Sequence, residues 1–356
     1  MSDIFLPGDQ FSTFEEQDKV LVGMSGGVDS AVCVHILRQQ GFAVTGAVFR
    51  FSDAHNPAVA AAQKAATALG VPLEIIDCGE EFETHVVGPF CEEYCSGRTP
   101  NPCVLCNPAV KMKVLAQRAD ELGIRLIATG HYARVEETKP GIYQLCRASS
   151  ISRDQSYMLH RLDQSILARL CLPLGDFDKE DIREIARDLK LPCAEAPDSM
   201  EICFIPDGDY AAYISQKGYE GKAGHFIGPD GEDLGPHQGV LHYTLGQRKG
   251  LGLALGKPAF IKAIRENGDV VLGWSGEEFF SGMKLTGIVT PDGSQLPAGS
   301  YQVKVRSAAQ PEACYFDGVD TVTFEKPARA PAPGQSAVFY QGDVVEGGGL
   351  ICESID

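Results

Sequence analysis

A chain of 356 residues exceeds one ordinary domain of about 100–200 residues, so two or three domains with a sizeable core are expected. Its composition, 44% hydrophobic and 22% charged with 39 glycines and 21 prolines, excludes fibrous, collagen-like and wholly disordered chains. A net charge of −17 argues against anionic membranes and, taken as a whole-chain figure, against nucleic acid.

Met1–Gln17 carry no basic residue and no long apolar run, unlike a signal or transit peptide. Nothing approaches the roughly 18 apolar residues of a membrane span. A cytoplasmic protein is expected, with its twelve cysteines mostly as thiols and any clustered pair serving metal or redox chemistry.

In chain order, short apolar runs at Val20–Gly23, Val44–Phe49, Leu73–Asp77 and Leu126–Thr129 read as strands. They alternate with helices at Val28–Gln39, Ala58–Leu69 and Ala109–Leu122, each stopped by a glycine, Gly41, Gly70 or Gly123. The alternation predicts an α/β domain on a parallel sheet. Beyond Pro206 a short helix near Asp209–Gln216 precedes a glycine-rich tract through Gly256. Short β-branched runs at Val270–Leu272, Tyr301–Val305 and Val319–Phe324 then suggest a small antiparallel barrel or sandwich. The expected division is 1–206 for a catalytic domain, 207–275 for a central domain and 276–356 for a C-terminal β-barrel. Charge is uneven: 101–160 and 221–265 each carry a net of +3 inside an otherwise acidic chain. A polyanionic partner would therefore be met by local basic surfaces, with few phosphate contacts and modest, salt-sensitive affinity.

The strand ending at Gly23 runs through Met24, Ser25, Gly26, Gly27, Val28, Asp29 and Ser30 into a helix, which places glycine amides at a helix N-terminus, an anion cradle. It lacks the lysine of a Walker loop and the spacing of a dinucleotide fingerprint. Asp29 beside phosphates calls for a Mg²⁺ between them. The structural alternative is a tight turn capped by Ser25 or Asp29.

The proline-punctuated segment Gly97–Pro108 contains Cys103 and Cys106, preceded by Cys91 and Cys95. Asn107 and Pro108 read as N-cap and first helical residue, which would set Cys106 beside a positive helix end near Lys111 and Lys113 and make it a ready nucleophile. A zinc knuckle and buried structural thiols are the alternatives. A further cysteine, Cys203, follows Pro197-Asp198-Ser199-Met200-Glu201-Ile202.

The Ser25–Ser30 string resembles the pyrophosphate loop of ATP pyrophosphatases. Together with 97–107, Ala128–Tyr132, Asp154–Tyr157, Asp198–Phe204, Leu241–Gly250 and Pro333–Tyr340, it resembles the MnmA/TrmU family of tRNA-uridine 2-sulfurtransferases over nearly the whole chain. That resemblance implies ATP-Mg²⁺ adenylation of the C2 oxygen of the wobble uridine, followed by sulfur transfer. It implies ATP binding by Gly23 to Ser30, Phe49 and Gly130, and a persulfide on Cys203. Cys106 would attack that persulfide, releasing hydrosulfide, or close a disulfide with Cys203. A flipped uridine would meet Asn101, Pro102 and Cys103, while His131, Arg153, Asp154, Gln155, Arg306, Ser307 and Gln335 would contact RNA. The partners implied are a tRNA and a persulfide donor, a cysteine desulfurase or a relay protein, acting with a monomer.

Several positions depart from the family pattern: Cys103 stands where some members have Asp, Arg153 for Lys, Phe49 for Met, and Met200 for Gln or Thr. The departures leave open a paralogue with an iron–sulfur cluster on Cys103, Cys106 and Cys203. A small-molecule adenylating ligase is the second alternative, one that needs neither separated thiols nor a β-domain. A non-catalytic zinc or RNA module leaves the phosphate loop unexplained.

Overall fold

The computed structural model describes residues 19–198 and 202–356; the departure at Met200 lies outside them. Strands β1 (Lys19–Gly23), β2 (Ala43–Arg50), β3 (Leu73–Asp77) and β4 (Leu126–Thr129) form where expected. A hairpin, β5 (Ala133–Lys139) and β6 (Ile142–Arg147), and a short β7 (Leu170–Cys171) follow. One sheet runs β3-β2-β1-β4-β7, and every pairing in it is parallel. The centre of β1 is fully buried because both its faces are covered. Val20 and Val22 pack on the side of the helices Val28–Gln39 and Asn56–Leu69, whereas Leu21 packs on the side of the helix Lys113–Glu121.

Chain direction across this sheet reverses at β1, which has β2 on one side and β4 on the other. In open parallel sheets the crevice beyond the carboxyl ends of two such strands is where ligands bind. Gly23 and Thr129 end those strands side by side.

Strands β8 (His225–Ile227), β9 (Asp233–Pro236), β10 (Ala259–Ile264) and β11 (Val270–Trp274) make a small central sheet. The expected barrel follows as β12 (Phe279–Val289), β13 (Gly299–Lys304), β14 (Glu312–Phe316), β15 (Thr321–Arg329), β16 (Ser336–Gln341) and β17 (Val344–Ile355). It closes through antiparallel β12–β17 pairing, which removes the sheet edges. The β5–β6 hairpin extends this same sheet through β17, and Val338, Tyr340 and Val345 share a core with Leu21 and Leu115. The barrel is thus packed into the α/β domain. Among the described residues no helix is long and apolar enough to cross a membrane.

Candidate active site at the sheet switch point

The phosphate loop has the expected form. The Met24 N–H donates to the Ala47 carbonyl at 2.7 Å, anchoring the exit of β1 to β2. Ser30 Oγ accepts from Ser25 N and donates to the Gly27 carbonyl, each at 3.1 Å, which curls the loop onto the helix start. Gly26 has a φ of 81°, which favours glycine, and Gly27 caps the helix with no side-chain acceptor, so the first-turn amides face an incoming anion without a competing carboxamide or hydroxyl. A Cβ on Gly130 would lie 2.9 Å from Ser30 N, so only glycine lets the β4 exit pass this close. The Phe49 ring, at the end of β2, lies against Gly23 and runs within 10° of parallel to Phe51.

Asp29 is engaged within the protein. Lys179 Nζ donates to its two oxygens at 2.6 and 2.8 Å, and the Tyr132 hydroxyl donates at 2.7 Å. Sequence reading missed Lys179, although a lysine opening the helix Lys179–Asp188, against the helix dipole, was a usable signal. The same ammonium is 3.0 Å from Asp198, which also receives Arg183 at 2.8 Å and Arg153 at 3.2 Å. Desolvation pushes the Asp198 carboxyl up, but these cations outweigh it and hold it below the usual range.

The thiol segment corrects one expectation. Its helix is capped by Asn101, whose Oδ1 accepts from Cys103 N at 3.2 Å, with Pro102 as the first helical residue. It then continues through Asn107–Met112 as a π-helical stretch into Lys113–Glu121. Pro108 therefore sits inside a continuous helix. It has no N–H to give the Val104 carbonyl and its ring would press on that group, a conflict the wider π turn accommodates. Asn107 is no cap; it is buried, and its Nδ2 donates to the Met158 carbonyl at 2.9 Å.

Cys106 consequently stands away from the positive helix end. It is 4% exposed, and burial pushes its thiol up to about 12, against the pull of the Lys111 ammonium and backbone N–H. The expected low-pKa nucleophile is a protonated thiol in this state. Cys203 is exposed, yet the protein packed around its sulfur raises it as well, again opposed by Lys111. The charges of Cys103, Cys106 and Cys203 all interact with that one lysine. Lys113 does not contribute to these thiols; its helical position, two residues on, turns it to solvent. His131, whose Nδ1 is 2.8 Å from Thr129 Oγ1, is driven down to about 3 by desolvation and by Lys111, and is neutral.

Among the described residues no two cysteines are joined by a disulfide. Among the described residues no three His, Cys, Asp or Glu side chains are grouped to hold a metal, so neither the zinc knuckle nor an iron–sulfur cluster fits them. Both alternatives also place a cation, Lys111, against the metal.

The expected RNA contacts divide. Arg153 is substantially exposed while paired to Asp198, and Ser307 is half-buried in the turn after β13. Gln155 Oε1 accepts from Tyr132 N at 3.0 Å. Asp154 does not face an RNA: its side chain is 1% exposed, and its oxygens accept from Ala148 N, Ser156 N and Ser156 Oγ. Arg306 reaches the Leu245 and Ala330 carbonyls at 3.4 Å, bracing the central segment against the barrel. Gln335 Nε2 donates to the Thr99 carbonyl at 2.7 Å and the Pro333 carbonyl accepts from Thr99 N at 2.9 Å, so the barrel clamps the thiol segment. A Cβ on Gly334 would fall 2.9 Å from Thr99 N.

An anion cradle at the switch point of a parallel sheet, beside a segment of thiols, defines a nucleotide-binding domain of the ATP pyrophosphatase type joined to sulfur chemistry. Family models match at 18–207 (tRNA methyl transferase HUP domain), 212–273 (tRNA methyl transferase PRC-barrel domain) and 290–351 (aminomethyltransferase beta-barrel domain). The tRNA-specific 2-thiouridylase MnmA of Carboxydothermus hydrogenoformans is 42% identical, over 94% of this chain and 97% of its own. That of Desulforudis audaxviator is 43% identical over 93% and 98%, and that of Lachnoclostridium phytofermentans 40% over 94% and 99%. The chain belongs to the MnmA family of tRNA-uridine 2-sulfurtransferases.

Proposed function

We propose that this protein thiolates C2 of the wobble uridine of tRNA at the expense of ATP. MgATP occupies Gly23 to Ser30 with its base toward Phe49, and Gly130 keeps the approach open. The uridine C2 oxygen attacks the α-phosphorus, pyrophosphate leaves, N3 gives up its proton, and an O-adenylated base results. Cys203 carries a persulfide taken from a donor protein. The Cys106 thiolate attacks the inner sulfur of that persulfide, forming a Cys106–Cys203 disulfide and releasing hydrosulfide. Hydrosulfide adds at C2 and expels AMP, and a cellular thiol then reduces the disulfide.

Lys111 is suited to this chemistry because one ammonium serves both sulfurs. Asn101, Pro102 and Cys103 would line the pocket for the flipped base, and Arg153 with His131 and Ser307 would meet the RNA. We assign 1–206 to catalysis, 207–275 to tRNA contact and 276–356 to holding the thiol segment, in a cytoplasmic monomer.

One observation carries the reading: two cysteines far apart in sequence, Cys106 and Cys203, lie within the electrostatic reach of each other and of Lys111, and Lys111 also acts on His131, next to the Gly130 that lies against Asp29 and Ser30 of the phosphate loop. A small-molecule adenylating ligase has no use for the thiols. The test is incubation with unmodified tRNA, MgATP and a persulfide source, followed by thiol-retarded electrophoresis. Retarded tRNA is expected from the wild type and none from Cys106→Ser or Cys203→Ser; equal product from all three refutes the assignment.

A further inference from the structure

The phosphate loop from Gly23 to Ser30 contains no cation, although ATP brings about four negative charges to it. Lys179 stands there instead, from a helix 150 residues later. It is 4% exposed, and a lysine is rarely so buried unless its charge is matched. Its matching groups are Asp29, in the first turn after the loop, and Asp198 at 3.0 Å. Two carboxylates face three cations here, since Arg183 and Arg153 also hold Asp198. One positive charge is left over at the rim of the anion cradle.

We propose that Lys179 is a phosphate-binding catalytic residue that supplies the lysine missing from the loop and acts on the pyrophosphate leaving group. In the nucleotide-free protein it neutralises Asp29. With MgATP bound, Asp29 would hold the metal and the Lys179 ammonium would turn to the β- and γ-phosphate oxygens, with Asp198 keeping the side chain in place. As the bond from the α-phosphorus to its bridging oxygen breaks, the electron pair goes to pyrophosphate, and Lys179, retaining its proton, offsets the charge that develops there. Tyr132, whose ring lies 5.8 Å from Nζ, limits the directions the ammonium can take.

The inference rests on the reading of the loop as an MgATP site, and product inhibition separates the two. In thiolation assays with tRNA and a persulfide source, pyrophosphate and AMP are each titrated against ATP. Lys179→Met is expected to raise the inhibition constant for pyrophosphate by about tenfold or more, as loss of a charge-assisted phosphate contact should. The constant for AMP should move less than about twofold, and Lys179→Arg should recover most of the pyrophosphate affinity. A purely structural lysine would move both constants together, and that result, or no change in either, overturns the proposal. Should Lys179→Met not fold, Asp198→Asn loosens the anchor and must weaken pyrophosphate but not AMP; equal weakening overturns it as well. A wild-type protein that pyrophosphate fails to inhibit overturns the MgATP reading itself.

Discussion

The buried position of Cys106 makes a quantitative claim about its reactivity in the resting protein. A thiol pushed up to about 12 from an ordinary 9.0 holds about a thousandfold less thiolate at pH 8. The more basic thiolate is the better nucleophile, by about 10^1.2 to 10^1.5 for three units at a Brønsted slope of roughly 0.4–0.5, so the net slowing is about fiftyfold. Iodoacetamide labelling, followed by mass spectrometry of the Cys106 and Cys203 peptides, checks this against free cysteine. Cys106 should label at least about fiftyfold more slowly, Cys203 should label first, and the logarithm of the Cys106 rate should climb with pH at unit slope through pH 10. Lys111→Met should slow Cys106 further, while Lys111→Arg should not, because the ammonium opposes the burial. A plateau near pH 8 to 9, or labelling as fast as free cysteine, would refute the reasoning. If the slow rate holds, the thiolate used in catalysis forms only once tRNA and the persulfide are in place.

Burial also drives His160 down to about 3, the Tyr157 carbonyl opposing this and Arg161 adding to it. The neutral ring is the native form, so its stabilisation is complete above about pH 6.5 and is lost as pH falls toward 3; unfolding free energy should drop by about 2 kcal/mol from this residue between pH 7 and 5, and His160→Gln should flatten that slope in denaturant titrations. Gly130→Ala should raise the KM for ATP by about tenfold or more with little change in tRNA affinity, since its methyl meets the backbone of Asp29 and Ser30; an unchanged KM would show that the β4 exit can retreat. Gly334→Ala, at a φ of 92° against Thr99, should reduce thiolation several-fold while the circular dichroism of the barrel is kept.

The phosphate loop was legible because its chemistry is local: glycines, serines and a following helix are contiguous in sequence. The thiol helix was misplaced because Asn-Pro occurs twice within that segment, at Asn101-Pro102 and Asn107-Pro108, and either pair can open a helix; only packing decides that the first does. The β5–β6 hairpin escaped notice because Glu136, Glu137 and Lys139 face solvent and break the apolar run. The RNA contact of Asp154 is implied by the family resemblance alone, and the burial of its side chain cannot be read from one polar residue in sequence. Lys179 and Lys111 gain their meaning from groups brought to them by the fold, Asp29 and Asp198 in one case and the separated cysteines in the other. What the sequence displays is chemistry within a few residues; what it conceals is which charges are paired.

The clamp of Pro333 and Gln335 on Thr99 has a consequence for biosynthesis. During translation the phosphate loop and the parallel sheet emerge long before the barrel residues that complete the core beneath β1. The Thr99 anchor of the thiol segment forms only after residue 335 has been made, and β6 gains its pairing with β17 later still. A prematurely terminated chain would therefore lack the Thr99 anchor of the thiol segment while keeping the hold of Met158 on Asn107.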